Sequence, residues 1–87
     1  MAIVHIPSLM RDLTGGAESV TVEGATIRHV IENLERQYPG IKARLCDGDH
    51  VRSNISVWLD GEMTRAGMIQ AVGEKSEIHF LPSISGG

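Results

Sequence analysis

The chain contains a single cysteine, Cys46, so no internal disulfide can staple it. At 87 residues it is one domain, held together by a continuous apolar core or not at all. Aromatic residues are almost as scarce, with one Trp, one Tyr and one Phe. Hydrophobic residues still make up 41% of the chain, so Ile, Val and Leu must fill the core. Basic residues are few and scattered, and the net charge is −3. Phosphate neutralisation needs clustered Lys and Arg, so nucleic acid is not expected as a partner. No apolar stretch approaches the roughly 20 residues that span a bilayer, and Met1 runs almost at once into a strand pattern rather than a leader. These absences predict a soluble, cytoplasmic, single-domain protein with no membrane partner.

What is present has the rhythm of a small α+β fold. Ile3 to Ile6 forms a strand pattern stopped by Pro7, which cannot donate to a ladder. Ser8 to Leu13 suits a brief helical turn with Leu9 and Leu13 on one side, and Thr14-Gly15-Gly16 suits a turn. Glu18 to Glu23 alternates polar and β-branched residues, as a half-buried strand does. Thr26 then caps a helix in which Ile27, Val30, Ile31, Leu34 and Tyr38 follow the 3.6-residue period, ended by Pro39-Gly40. Ile41 and Leu45 predict a short irregular cover over the core, and Cys46 to Asn54 a surface loop. Ile55, Val57 and Leu59 alternate with Ser56, Trp58 and Asp60, and Asp60-Gly61 is a tight-turn pair. Glu62 to Val72 is a connection holding a short edge strand or helical turn. Ile78 and Phe80 mark a last strand, and from Pro82 onward a regular ladder is not expected to continue.

A hairpin, a helix across the sheet and further strands is the β-grasp plan. In it the first and last strands are parallel neighbours joined by a right-handed crossover. The order alone leaves other α+β folds open. The organisation expected is a domain over 1–81 and a flexible tail over 82–87.

The tail carries the chemistry. A terminal carboxylate, with pKa about 3.3–3.7, is ionised at neutral pH and a poor electrophile. Activation by ATP to an acyl-adenylate opens it to attack by sulfur or nitrogen. An enzyme performing this must enclose the carboxylate while the domain stays outside, which calls for a thin rope. Pro82 to Gly87 reaches roughly 20 Å when extended. Gly86 and Gly87 fit a narrow channel because they lack Cβ atoms. Pro82 stiffens the exit, Ile84 offers one apolar anchor, and Ser85 is small.

The helix from Thr26 to Leu34, the Trp58-Leu59-Asp60-Gly61-Glu62 strand and turn, and the closing Phe80-Leu81-Pro82-Ser83-Ile84-Ser85-Gly86-Gly87 resemble the ThiS/MoaD sulfur carriers, relatives of ubiquitin. The likeness covers nearly the whole chain. Within that family, Ile6 to Arg11 followed by Thr14-Gly15-Gly16, with Glu32-Asn33-Leu34-Glu35 and Tyr38-Pro39-Gly40-Ile41, is most similar to the thiocarboxylate carriers of cysteine biosynthesis. Ser85 stands where many members carry Ala, a change that should preserve threading. Some relatives carry residues after Gly-Gly that must be trimmed; with none following Gly87 here, this sequence is expected to be ready for activation.

The resemblance implies a cycle. An E1-like enzyme adenylates the Gly87 carboxylate with ATP, and a sulfur donor converts it to a thiocarboxylate. A pyridoxal-phosphate-dependent cysteine synthase-type enzyme supplies the acceptor, and a zinc metallopeptidase releases the product. The carrier itself is expected to be no enzyme and to bind no cofactor. Alternatives within and beyond the class are the small subunit of molybdopterin synthase, sulfur delivery to a secondary metabolite, a ubiquitin-like modifier forming isopeptide bonds, and a plain binding module.

Other residues bear on partners and metals. Trp58 falls opposite Ile55, Val57 and Leu59. In a β-grasp sheet it would share the outer face with His5, His79 and Leu81, either as a docking face for partner enzymes or as local cover. His5, His29, His50 and His79 have no short ligand spacing, and with one cysteine no metal site is expected. Asp47-Gly48-Asp49-His50 lacks the remaining ligands of a calcium loop. Cys46 suits a small apolar role better than a redox one.

Overall fold

A computed structural model describes residues 1–82. Strand β1 (Ala2–His5) leads through a 3-10 turn over Ser8–Met10 to β2 (Ser19–Val22). Helix α1 (Ile27–Gln37) and the short α2 (Ile41–Leu45) follow, then β3 (Cys46–Asp47) and β4 (His50–Val51). Strands β5 (Ile55–Leu59) and β6 (Glu62–Met63), a second 3-10 turn over Gly67–Ile69 and β7 (Glu77–Pro82) complete the order. The main sheet is ordered β2-β1-β7-β5-β6, with β1 and β7 parallel and the other pairs antiparallel. This is the β-grasp arrangement, with the first and last strands side by side in the middle.

Helix α1 starts where the Thr26 hydroxyl accepts from the His29 amide at 3.2 Å, replacing a partner that the first turn lacks. Its buried stripe is Ile27, Val30, Ile31 and Leu34. These pack on the inner sheet face, formed by Val4, Val22, Ile55, Val57, Ile78 and Phe80. Gly24 sets how closely α1 approaches: a Cβ there would stand 2.6 Å from Val30 Cγ2 and 2.7 Å from Val30 N. Only glycine fits that crossing.

Four local expectations change. Ile41–Leu45 is a helical turn rather than irregular chain. Its start is secured from a distance, because the Glu35 carboxylate accepts from the Gly40 amide at 3.0 and 3.1 Å and from the Lys42 amide at 2.9 Å. Those bonds hold the Glu35 carboxyl below its ordinary value, opposed only by slight desolvation. Cys46–Val51 is a hairpin rather than a loop, pairing Cys46 with Val51 and Asp47 with His50 across Gly48 in the left-handed region. Leu9 does not share a side with Leu13, which packs against the core. It stands in solvent at 77% exposure, and its neighbour Met10 enters the core instead. The final ladder reaches one residue further than expected, since Pro82 still pairs with Ile55. At a strand's last position the missing N–H is not needed.

Candidate functional site

Residue parity sorts β7 into two faces. Ile78 and Phe80 point into the core, so Glu77, His79 and Leu81 point the other way. Pairing then builds a row across the whole outer face: Ser19 on β2, His5 on β1, His79 on β7, Trp58 on β5 and Met63 on β6. Leu81 lies two residues further along β7, opposite Ser56. The four residues singled out in the sequence, Trp58, His5, His79 and Leu81, therefore share one face. Trp58 is half-buried and its indole N–H donates to Ser56 Oγ at 3.0 Å, while Ser56 Oγ donates to the Leu81 carbonyl at 3.3 Å. The ring is fixed by these bonds. Its placement against the sheet combines the outward and local-cover readings.

At the Pro82 end of β7, the outer face continues into a groove of about 630 Å³ bordered by His5, Ile6, Leu9, Arg11, His79, Leu81 and Pro82. Leu9 and Leu81, 77% and 48% exposed, give it two uncovered apolar edges. Its far wall is tied down twice. Arg11 Nε donates to the Ile6 carbonyl at 3.0 Å. Arg44 forks onto Asp12 at 3.0 and 3.1 Å and onto the Leu9 carbonyl at 2.9 Å, coupling the loop after β1 to α2. Such exposed pairs contribute little stability, but they fix where Leu9 stands beside Pro82. Leu9 was not singled out in the sequence, although it borders this groove. The adjacent apolar pair Leu9-Met10 in a single turn carried the clue, because only one of the two can face inward.

Pro82 is thus placed at the mouth of this groove. Ile84, Ser85, Gly86 and Gly87, the tail and attachment residues named from the sequence, lie outside the described residues. Other candidates are spread apart. Cys46 is buried at the C-terminal end of α2, and burial pushes its thiol up by more than the charges of Lys42, Arg52 and Arg28 pull it down. A thiol so placed stays protonated at neutral pH and suits a packing role. His29 is on α1 and His50 on β4, whereas His5 and His79 stack face to face with ring centroids 3.9 Å apart and planes 6° from parallel. His5 Nε2 also meets Glu77 Oε1 at 2.9 Å. The linear spacing hid this trio because its members come from opposite ends of the chain. Among the described residues, no helix is long and apolar enough to cross a membrane.

Comparison with known proteins agrees with this architecture. Sulfur carrier protein CysO of Mycobacterium tuberculosis is 33% identical over 89 residues, covering 97% of this chain and 96% of that protein. A chain of the crystal structure of the Amycolatopsis orientalis BexX/CysO complex superposes with a TM-score of 0.93, at 34% identity and with full coverage of both chains. Small archaeal modifier protein 1 of Methanosarcina acetivorans shares the fold alone, with a TM-score of 0.82 at 23% identity over 99% of this chain and 95% of its own. The ThiS family model matches residues 4–87, from the first central strand through the terminal glycines, and the chain belongs to that family, with its ubiquitin-like β-grasp fold.

Proposed function

We propose that this chain is a cytoplasmic sulfur carrier, in which Gly87 is the attachment point and the outer face of the sheet is the docking surface. The observation that carries this reading is the continuity of one family match from the sheet to Gly87. Central strand β7 delivers the chain at Pro82, beside the exposed groove, and the matched residues run on to the terminal glycines. An E1-like enzyme adenylates the Gly87 carboxylate with ATP, releasing pyrophosphate. A sulfur donor then displaces AMP and leaves a thiocarboxylate. The thread from Pro82 through Ile84, Ser85 and Gly86 is what the activating enzyme encloses, while Trp58, His5, His79 and Leu81 meet its surface. The carrier supplies no general acid or base.

The similarity to CysO over nearly the full length supports delivery into cysteine biosynthesis. There a pyridoxal-phosphate-dependent cysteine synthase-type enzyme presents an unsaturated amino-acid acceptor, and the thiocarboxylate sulfur adds to its β-carbon. An acyl shift from sulfur to nitrogen leaves cysteine amide-linked to Gly87, and a zinc metallopeptidase hydrolyses that amide to release cysteine and restore the carboxylate. Intact-mass spectrometry of the chain isolated gently from its host tests the proposal. A species heavier by one oxygen-to-sulfur exchange at Gly87 is expected, with a second carrying an added cysteine. A free carboxylate throughout, with Gly87 joined to lysines of other proteins, would reject carriage in favour of a protein modifier.

A further inference from the structure

We propose that His5, Glu77 and His79 form a binding site for a zinc-class divalent metal on the outer face of the sheet. Their donor atoms all lie within 4.8 Å of one another, and the His5 Nε2 to Glu77 Oε1 separation is 2.9 Å. Zinc with bonds of about 2.0–2.2 Å to nitrogen and oxygen holds its donors roughly 3.3 Å apart, so the trio already spans the required volume. The backbone beneath is rigid: His5 pairs with His79 across the parallel β1–β7 ladder at the centre of the sheet, and Glu77 precedes His79 by one pleat. The flanking outer-face positions are Ile3 beside Glu77 and Ser19 and Trp58 beyond the histidines, none of them cationic, while Arg11, across the adjoining groove, has its Nε held by the Ile6 carbonyl at 3.0 Å.

One adjustment is needed. Stacked imidazoles aim their in-plane lone pairs along parallel lines, so both cannot meet one ion as they stand. Turning one ring about χ2, a broad and soft torsion, converges them. Both rings are only partly buried, so the turn displaces no core side chain. Two imidazoles and one carboxylate are a donor set that zinc accepts, and they leave a position for water or for a ligand from outside the chain. This property is independent of sulfur carriage, and it is measured on the isolated chain.

Calorimetric titration of Zn²⁺ into the untagged chain should show one equivalent bound. His5→Ala and His79→Ala should each weaken binding by at least about tenfold, while His29→Ala/His50→Ala should bind like the parent. Trp58 is the only tryptophan and pairs with His79, so Cu²⁺ should quench its emission in the parent but not in His79→Ala. Should the alanine variants fold poorly, the imidazole resonances of the parent answer the same question: zinc should shift those of His5 and His79 alone. Equal zinc binding by the parent and the His5→Ala/His79→Ala variant, or zinc shifts confined to His29 and His50, would overturn the site.

Discussion

The two faces of the central sheet share the same strands and the same register, yet they are made of opposite materials. Inward, Val4, Ile78 and Phe80 are at most 1% exposed and belong to a core of apolar side chains. Outward, one residue away along each strand, stand His5, Glu77, His79 and Trp58 with hydrogen bonds, a ring stack and access to solvent. The inner face is specified by volume, because close packing penalises any change of shape. The outer face is specified by chemistry. A small domain that folds without a staple can keep packing and surface chemistry apart by parity alone.

That division is most sharply tested from the inside. Phe80→Ala removes the largest fully buried side chain and should cost about 3–5 kcal/mol, measured by urea unfolding. Gly24→Ala pushes a methyl into Val30 and should cost about 1–3 kcal/mol, because the clash includes backbone that cannot rotate away. On the outer face the effect should move from stability to partnership. Trp58→Ala should retain the fold and slow adenylation by the cognate activating enzyme roughly tenfold, the equivalent of about 1.4 kcal/mol. An unchanged adenylation rate would place the outer face outside the docking surface.

The smallest effect belongs to neither face. Glu35 has its folded pKa lowered by the Gly40 and Lys42 amides, so its contribution is present above its unfolded value and is lost as pH falls through the folded one. Glu35→Gln should lower the melting temperature slightly at neutral pH, and the difference from the parent should vanish in acid. A difference that persisted in acid would mean that the carboxylate charge is not what holds the start of α2.

Much of this plan was legible in the sequence where periodicity was long enough to count. The Thr26-capped helix, the alternation from Ile55 to Leu59, the Asp60-Gly61 turn and the parity of Trp58 all follow from local residue order. The structure puts Asp60 and Gly61 at φ 51° and 87°, as a tight hairpin requires. The misread segments are the short ones. Two-residue strands at Cys46–Asp47 and His50–Val51 leave no alternation to detect, and turn residues between them resemble any loop. One turn of helix at Ile41–Leu45 offers no repeat, and its stabilising carboxylate comes from Glu35 in the preceding helix. The shared outer face of His5 and His79 followed from the β-grasp plan, but their direct stacking and the approach of Glu77 did not. These depend on the register of a parallel pair between distant segments, which no local pattern encodes.

The place of β7 has a consequence for how the protein is made. It lies between β1 and β5, so before it is synthesised the sheet exists only as two separate hairpins with no shared strand. Non-local pairings of this kind form late, because the long intervening loop must close first. A ribosome therefore has to release β7 before the core can close completely, and a chain broken off earlier leaves part of its apolar faces uncovered for proteases. Folding thereby inspects the length of the product: a molecule that survives in the cell has already been translated as far as the groove at Pro82.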